Sequence, residues 1–205
     1  MYESSKKEIK QRELSIKDLI VTGVFGAILL ICTGIGGGVF AITPTLTFYF
    51  PLGAALLPGP VYLLYLAKVP RRGGVSLIGI IVGMLCLITG MHWGMTLGFV
   101  ICSVVADLTA GTRGYKSKKI NILSYIIYSY GCMGTYLVYF INPSGWAKTM
   151  LGNGTTQGYI DQMNASADVR VLLVMIIGTA LVAIFSGFVG SVLLKKQFEK
   201  AGITE

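Results

Sequence analysis

The side chains that could do chemistry in this 205-residue chain are few and widely spaced. His92 is the single histidine, so a metal site built from several histidines is excluded. The four cysteines lie far apart in apolar stretches, unlike the close-spaced pairs of zinc sites; they are Cys32, Cys86, Cys102 and Cys132. The sequence has no His-Glu-x-x-His motif, nucleophile elbow or phosphate-binding loop. It therefore predicts a protein that is not an enzyme, holds no metal and does not itself hydrolyse ATP.

Asp107 is the only acidic side chain well inside an apolar stretch, and it lies near the end of a predicted helix. A charge at the middle of a bilayer would cost about 2.5–3.5 kcal/mol. Close to the boundary, the carboxylate can reach Arg113 or a neighbouring basic loop. We therefore favour a structural charge that locks this helix to the loops over an ion or proton site.

A second group of side chains could bind a small molecule through hydrogen bonds and aromatic faces. The candidates are His92, Trp93, Thr96, Tyr139, Asn142 and Trp146. We expect the site at the outer side of the bundle, between the fourth, fifth and sixth predicted helices. It would lie beneath the turns at 43–50 and 90–94 and the long loop predicted at 142–168. An organic, modestly polar solute suits these residues better than a metal ion. The alternative is an aromatic belt, which places Trp and Tyr at membrane interfaces without any ligand.

The elements that position these residues are predicted transmembrane helices. Hydrophobic residues make up 54% of the chain and charged residues 13%, with a mean hydropathy of +0.72, as is typical of a multi-pass membrane protein. Four long stretches lack charge, and one spanning helix needs about 20 apolar residues. The prediction is an all-α bundle of six spans at 19–42, 46–67, 75–91, 93–110, 121–141 and 170–194. A leader (1–18) precedes this domain (19–194) and a tail (195–205) follows; the third and fourth spans could instead form a re-entrant pair.

The second predicted helix contains three prolines within ten residues, Pro51, Pro58 and Pro60. Proline removes a helical hydrogen bond, so this helix is predicted to be kinked or broken. In lipid, the backbone groups that a break frees need partners from neighbouring protein.

The positive charges are distributed unevenly. With six spans, both termini share one side with the loops near 68–72 and 111–119. Every lysine and arginine except Lys148 and Arg170 falls on that side. The asymmetry follows the positive-inside rule, so both termini are predicted to be cytoplasmic. Topology thereby explains the net charge of +8, and no nucleic-acid partner is needed.

Small residues share one side of the first predicted helix, where Gly23 and Ala27 lie four residues apart with Gly26 beside them. In lipid, such a face lets another helix backbone come close. It could pack inside this protein's own bundle or form a docking face for a separate membrane subunit.

The order and spacing of these features resemble the S component, the substrate-binding membrane subunit, of energy-coupling-factor (ECF) transporters. Gly23-x-x-x-Ala27 stands where those proteins carry an Ala-x-x-x-Ala pattern. Three further runs are similar to the MptD-type, or Trep-Strep, subfamily: Asp18–Val21, Ala106–Ala110 and Gly114–Lys118. The resemblance covers essentially the whole chain.

This resemblance implies an S-component-like bundle in the bacterial cytoplasmic membrane that captures a small organic micronutrient or metabolite outside the cell. The implied partners are a transmembrane T subunit, docked through the first helix, and two cytoplasmic ATPases. ATP would bind those ATPases, and this chain would carry no cofactor. Two alternatives remain, a small membrane scaffold or assembly protein without a ligand, and a stand-alone transporter or channel.

Overall fold

The computed structural model describes residues 14–196 and Glu199, and this part of the chain is helical throughout with no strand. The α-helices are α1 (Ile16–Ala41), α2 (Phe50–Ala54), α3 (Pro58–Lys68), α4 (Gly74–Ile88), α5 (Trp93–Gly111), α6 (Lys118–Ser129), α7 (Gly134–Ile141), α8 (Pro143–Gly152), α9 (Gln157–Ser166) and α10 (Val169–Leu193). Two 3-10 helices, Pro44–Tyr49 and Tyr130–Met133, lead into α2 and α7. Most of the predicted leader and most of the predicted tail lie outside the described residues.

Four described segments are long and apolar enough to cross a membrane: Ile16–Ala41, Pro44–Lys68, Trp93–Gly111 and Val169–Leu193. Helix α4 is equally apolar but shorter. The predicted span 121–141 is divided between α6 and α7 by a 3-10 turn. The protein is thus a multi-pass helical membrane protein, whereas six full spans and the orientation of the termini stay predictions.

Helix α1 begins at a capping box, in which Ser15 and Asp18 each accept a hydrogen bond from the other's backbone N–H. One face is buried in the bundle and carries Thr22, Gly26, Leu29, Thr33 and Gly37. The opposite face is exposed and almost entirely β-branched; it carries Ile20, Val24, Ile28, Ile31, Ile35 and Val39. This exposed apolar face suits contact with lipid.

The second predicted helix is broken at residues 55–57, between α2 and α3, as its prolines predict. Two carbonyl groups that the break frees are hydrogen-bonded by distant side chains. The Tyr125 hydroxyl donates to the Ala55 oxygen at 2.6 Å, and the Ser186 hydroxyl donates to the Leu56 oxygen at 2.5 Å. The break is therefore enclosed by α6 and α10, and its polar backbone is kept from hydrocarbon.

Helices α4 and α5 form a closely packed antiparallel pair. A Cβ atom at Gly79 would collide with Ser103, and one at Gly83 would lie 3.0 Å from the Thr96 carbonyl oxygen. The Thr96 hydroxyl donates to the Gly83 carbonyl at 2.9 Å. Small residues thus let the two backbones approach, and a side-chain hydrogen bond joins them.

We call the end of the bundle where α1 begins and α10 ends the basic end, and the end where α5 begins the His92 end. At the basic end, the buried Asp107 carboxylate accepts hydrogen bonds from Gly73 N at 2.7 Å, Ser76 Oγ at 2.8 Å and Tyr115 Oη at 2.7 Å. These bonds tie α5 to the start of α4 and to the loop before α6.

Asp107 was predicted to reach Arg113 or a neighbouring basic loop, and its described hydrogen bonds come from the loops, at Gly73 and Tyr115. Arg113 is exposed and is not among the described donors to this carboxylate. A backbone N–H at the start of a helix and two hydroxyl groups supply the donors instead. Sequence proximity suggested the arginine, but Tyr115, with φ of 63°, turns the loop so that its own hydroxyl reaches the carboxylate.

The described core divides into two clusters of buried apolar side chains. The larger one fills the middle of the bundle and the basic end, with Tyr62, Tyr65 and Tyr125 among its largest members. The smaller one lies beneath α8 and α9 and includes Phe48, Trp146 and Ile160. Members of both clusters, such as Phe99 and Trp146, border a cavity at the His92 end.

Candidate functional site

A cavity of about 630 Å³ lies at the His92 end. Its walls come from α1, the 3-10 helix Pro44–Tyr49, the α4–α5 turn, the first turns of α5, and α7. Helices α8 and α9 and the loop between them complete the enclosure. The volume falls within the range of about 300–1,000 Å³ that small-molecule sites occupy.

His92 stands at the start of α5 and is 2% exposed. Its Nδ1 atom accepts a hydrogen bond from the Gly94 backbone N–H at 3.0 Å, which makes the side chain the N-cap of α5. The Nε2 atom is buried and has no hydrogen-bond partner among the described residues. Removal from water lowers the pKa of His92, so the ring is neutral at pH 7.

Trp146 presents its ring to the cavity and is held from several directions. Its Nε1 atom donates to the Thr135 hydroxyl at 2.9 Å. Its ring and the His92 ring are stacked at an interplanar angle of 23°, with centroids 6.1 Å apart. Tyr139 packs edge-on against the same indole at 5.3 Å, and the Tyr139 hydroxyl donates to Asn164 at 2.7 Å. Tyr139 therefore positions Trp146 and does not itself line the cavity.

The glycine cluster of α1 consists of Gly34, Gly36, Gly37 and Gly38, which lie in two different surroundings. Cβ atoms at Gly36 and Gly37 would collide with Gly53 and with the Phe50 ring, so these two glycines allow α2 to pack closely. Cβ atoms at Gly34 and Gly38 would meet nothing within 4 Å, and both residues line the cavity. Their missing side chains leave room for a ligand beside α1.

Helices α8 and α9 lie over the cavity where the sequence analysis predicted a loop at 142–168, and that part of the prediction is wrong. Asn142 caps α8 by accepting from Gly145 N at 3.0 Å, and proline follows it at the first helical position. Thr156 caps α9 by accepting a hydrogen bond from Tyr159 N at 3.3 Å. The Tyr159 hydroxyl donates to the Ala41 carbonyl at 3.0 Å and fastens α9 to the end of α1.

The structure brings two of the six predicted binding residues, His92 and Trp146, to the cavity wall. Trp93 is 45% exposed on the outside of α5, although its ring touches His92. Thr96 is bonded to α4, and Asn142 is occupied as a helix cap. Among the described residues, these three and Tyr139 are not part of the lining.

The cavity does not coincide with the predicted position of the site between the fourth, fifth and sixth spans. In the described part of the chain α1 forms a wall of the cavity, whereas no residue of α10, the sixth predicted span, lines it. The reason is the break after α2: α10 packs along α2 and α3, with Gly178 against Leu52 and Gly190 against Pro60. That packing leaves the His92 end of α1 to face α5 and α7 across the cavity.

The cavity is also lined by Thr33 and Gly38 of α1 and by Tyr159 of α9, which were not predicted as binding residues. The available signal was the run of four glycines between 34 and 38, since glycine weakens a helix unless a close approach or open space requires it. Nothing in the local sequence distinguishes the two requirements.

The lining contains no charged side chain within the described chain, and its polar atoms come from threonines, two tyrosines, His92 and Trp146. No group of three or more His, Cys, Asp or Glu side chains that could hold a metal ion occurs among the described residues. The arrangement can enclose an organic molecule and offer it hydrogen bonds and an indole face.

The predicted docking residues of α1 do not share one environment. Gly26 is buried against α4, with Ile81 Cγ2 at 3.6 Å from the position of a Cβ atom, so it packs within the bundle. Gly23 has open space around it, and Ala27 is exposed. Gly23 and Ala27 thus remain accessible for a further membrane helix.

Comparison with known proteins gives one family match. A family model described as a hypothetical bacterial integral membrane protein (Trep_Strep) matches residues 16–200. No curated protein and no solved structure matches the chain.

Proposed function

This chain belongs to the Trep_Strep family of bacterial integral membrane proteins, and we propose that it is the substrate-binding subunit of an ECF-type uptake transporter. It captures a small organic micronutrient or metabolite at the His92 end and delivers it inward. A transmembrane T subunit and two cytoplasmic ATPases complete the transporter and supply the energy of ATP hydrolysis.

The cavity beside His92 is the observation that carries this proposal. Its volume of about 630 Å³ suits a metabolite, and its lining combines the Trp146 indole with threonine and tyrosine side chains. A scaffold protein has no need of such a site.

Two features of the rest of the chain support separate partner subunits. The sequence carries no phosphate-binding motif, so uptake against a gradient needs ATPases on other chains. The open positions Gly23 and Ala27 on α1 offer a close-packing surface to a T subunit. With the lysines and arginines of the basic end in the cytoplasm, the cavity faces the outside.

Two matched glycine variants of α1 test the proposal. The protein is purified in mild detergent from its native bacterium, and native mass spectrometry measures retained small molecules and partner subunits. Gly38→Leu places a side chain in the cavity and is expected to lose the bound molecule while keeping the partners. Gly23→Leu lies outside the cavity and is expected to keep the molecule and lose the T subunit.

Both variants replace a helical glycine that has open space around it, so neither is expected to disturb the bundle. A wild-type protein that carries no small molecule and no partner would contradict the proposal. So would a Gly38→Leu protein that retains the same molecule.

A further inference from the structure

Thr33 lies on the buried face of α1 and lines the inner part of the cavity. Ala41, which also lines the cavity, follows it at the end of α1, about 12 Å away at 1.5 Å per residue. A smaller pocket of about 10 Å³ shares Thr33 and Phe99 with the cavity and is also lined by Tyr128 of the central cluster. Thr33 therefore lies at the base of the cavity and not at its mouth.

Four other threonine hydroxyls on the described helices donate to the carbonyl group four residues earlier. They belong to Thr22, Thr109, Thr149 and Thr179, and the distances lie between 2.7 and 3.1 Å. This carbonyl group is the acceptor that a helix itself offers to a threonine side chain. Each of the four hydroxyls is thereby satisfied within its own helix.

The Thr33 hydroxyl differs from these four. It has no hydrogen-bond partner within the described chain, although the residue is only 6% exposed. The unpaired polar atoms that protein fully encloses in the same part of the chain belong to His92, Ser103, Asn121 and Tyr128. Thr33 is not one of these, so its hydroxyl retains accessible surface. Because Thr33 lies on the buried face of α1, that surface opens into the cavity and its small extension.

The side chains that line the inner part of the cavity beside Thr33 are apolar. Leu30 comes from α1, and Met95 and Phe99 come from α5. An unpaired hydroxyl is unfavourable in such surroundings, and a polar group of a bound molecule would satisfy it. A threonine hydroxyl both donates and accepts, so a carbonyl, hydroxyl or amide group is suitable.

A charged group would be unfavourable at the base of the cavity. None of the described lining residues is charged, so a carboxylate, phosphate or ammonium group at Thr33 would have no counter-ion. The remaining lining includes the Trp146 indole and the thioethers of Met91 and Met150, which suit an apolar or aromatic body.

We propose that Thr33 determines specificity at the base of the cavity. Its hydroxyl hydrogen-bonds an uncharged polar group, such as a carbonyl, of a largely apolar organic molecule that enters with this group directed inward. That the molecule is transported rests on the proposed function, whereas its contact with Thr33 rests on the cavity alone.

Three naphthalene probes that differ in one substituent test this contact. 2-Acetylnaphthalene carries a carbonyl oxygen, 2-isopropenylnaphthalene has a methylene group in place of that oxygen, and 2-naphthoate carries a charged carboxylate. The protein is reconstituted in lipid nanodiscs, and binding is measured by equilibrium dialysis with empty nanodiscs as the reference. Wild-type protein is expected to bind both neutral compounds saturably.

The variant Thr33→Val keeps the branched shape of the side chain and removes the hydroxyl. The ratio of the acetyl affinity to the isopropenyl affinity is expected to be about fivefold lower in this variant than in wild type, which is the effect of one hydrogen bond. Thr33→Ser keeps a hydroxyl and is expected to keep the wild-type ratio. The affinity for 2-naphthoate is expected to be equal in wild type and Thr33→Val, because its carboxylate does not reach the base.

Thr179→Val is the matched control. It makes the same change in α10, where the hydroxyl donates to Met175 and the residue lies outside the described lining. The affinity ratio is expected to stay at the wild-type value in this variant. A ratio that falls equally in Thr33→Val and Thr179→Val would overturn the inference, since general changes in packing would then account for both.

Thermal unfolding without added probe provides a second measurement. Because the Thr33 hydroxyl has no partner in the described chain, Thr33→Val is expected to unfold at or above the wild-type temperature. A lower midpoint would show that the hydroxyl is bonded within the protein. That result would contradict the inference, as would an unchanged affinity ratio, an absence of saturable binding of the neutral compounds, or weaker binding of 2-naphthoate in Thr33→Val.

The two proposals fail separately. A protein that purifies without T-subunit and ATPase partners would refute the transporter function and leave the dependence of the affinity ratio on Thr33 unaffected. Conversely, a protein that co-purifies with its partners and has the same ratio in wild type and Thr33→Val would keep the function and refute the contact.

Discussion

The two ends of the bundle differ in how closely their helices pack. At the basic end, the Asp107 carboxylate is hydrogen-bonded by Gly73, Ser76 and Tyr115, and the surrounding side chains are closely packed. At the His92 end, α1, α5 and α7 surround a cavity of about 630 Å³. Hydrogen bonds between elements fasten one end, and the other end encloses open space.

This difference matters because burial of apolar surface provides little driving force for helices to associate inside a membrane. Lipid tails are as apolar as leucine side chains, so close packing and hydrogen bonds hold the helices together. The basic end has both, including the Tyr62–Ser124 hydroxyl pair at 2.6 Å. We infer that this end stabilises the bundle and thereby allows the His92 end to hold a cavity.

The largest effect is expected from Asp107→Ala. The substitution leaves three donors, one of them fully buried, without their acceptor, and the free energy of unfolding should fall by about 3 kcal/mol. Thermal unfolding in detergent, followed by tryptophan fluorescence, measures the loss. Arg113→Ala is the control and should change stability by less than about 0.5 kcal/mol. Equal losses of stability in the two variants would contradict the stabilising role of the Asp107 hydrogen bonds at the basic end.

The two tryptophans of the His92 end should differ in ligand binding. Trp146→Phe takes away indole surface at the cavity and the bond to Thr135, so retention of the bound molecule should fall about tenfold, as for a binding hot spot. Trp93→Phe alters a half-exposed ring outside the lining and should leave retention within about twofold of wild type. Native mass spectrometry of both purified proteins gives the comparison. A larger loss of ligand retention in Trp93→Phe than in Trp146→Phe would show that the ligand binds outside this cavity.

Two tyrosine variants test the comparison between the ends with one chemical change. Tyr125→Phe leaves the Ala55 carbonyl unpaired and should lower the free energy of unfolding by about 1–2 kcal/mol without affecting ligand retention. Tyr136→Phe removes only a long contact of 3.4 Å to Thr47 and should cost less than about 0.5 kcal/mol. Because Tyr136 lines the cavity, its loss should instead weaken ligand retention. If Tyr125→Phe weakened ligand retention and Tyr136→Phe lowered the stability instead, the distinction between the two ends would be refuted.

The smallest expected effect is a pH dependence that comes from His92. Its pKa in the folded protein lies below the ordinary value of 6.5, so the unfolded chain binds a proton first as the pH falls. Stability should therefore be full above pH 6.5 and decrease as the pH drops below that value towards the folded pKa. His92→Ser keeps the cap but cannot titrate. Its unfolding midpoint, measured from pH 8 to 5, should fall less than that of wild type over the acid part of the range.

Sequence patterns predicted the helical membrane class and the break in the second helix. These follow from local chemistry. A proline cannot donate a helical hydrogen bond wherever it lies, and long uncharged runs must satisfy their backbone inside helices. His92 and Trp146 were likewise identified as candidates because histidine and tryptophan are rare here and occur near predicted turns.

The helix faces that meet at the cavity could not be predicted in the same way. In a soluble protein, polar residues mark the outward face of a helix. In both α1 and α10 the outward face is apolar, and small polar residues such as Thr33 and Thr179 lie on the buried face. The sequence therefore contained no signal that α1, and not α10, borders the cavity. It also did not show that Gly34 and Gly38 leave space while Gly36 and Gly37 contact α2.

The sequence by itself determined that this chain forms apolar helices with basic residues gathered at one end, because hydrocarbon demands internal hydrogen bonding and excludes charge. Only the tertiary structure decided which polar atoms are paired. Asp107 is paired with a helix start and a tyrosine instead of Arg113, and the Nε2 of His92 has no partner in the described chain. Such pairings depend on distances between helices far apart in sequence, and the local pattern of side chains does not encode those distances.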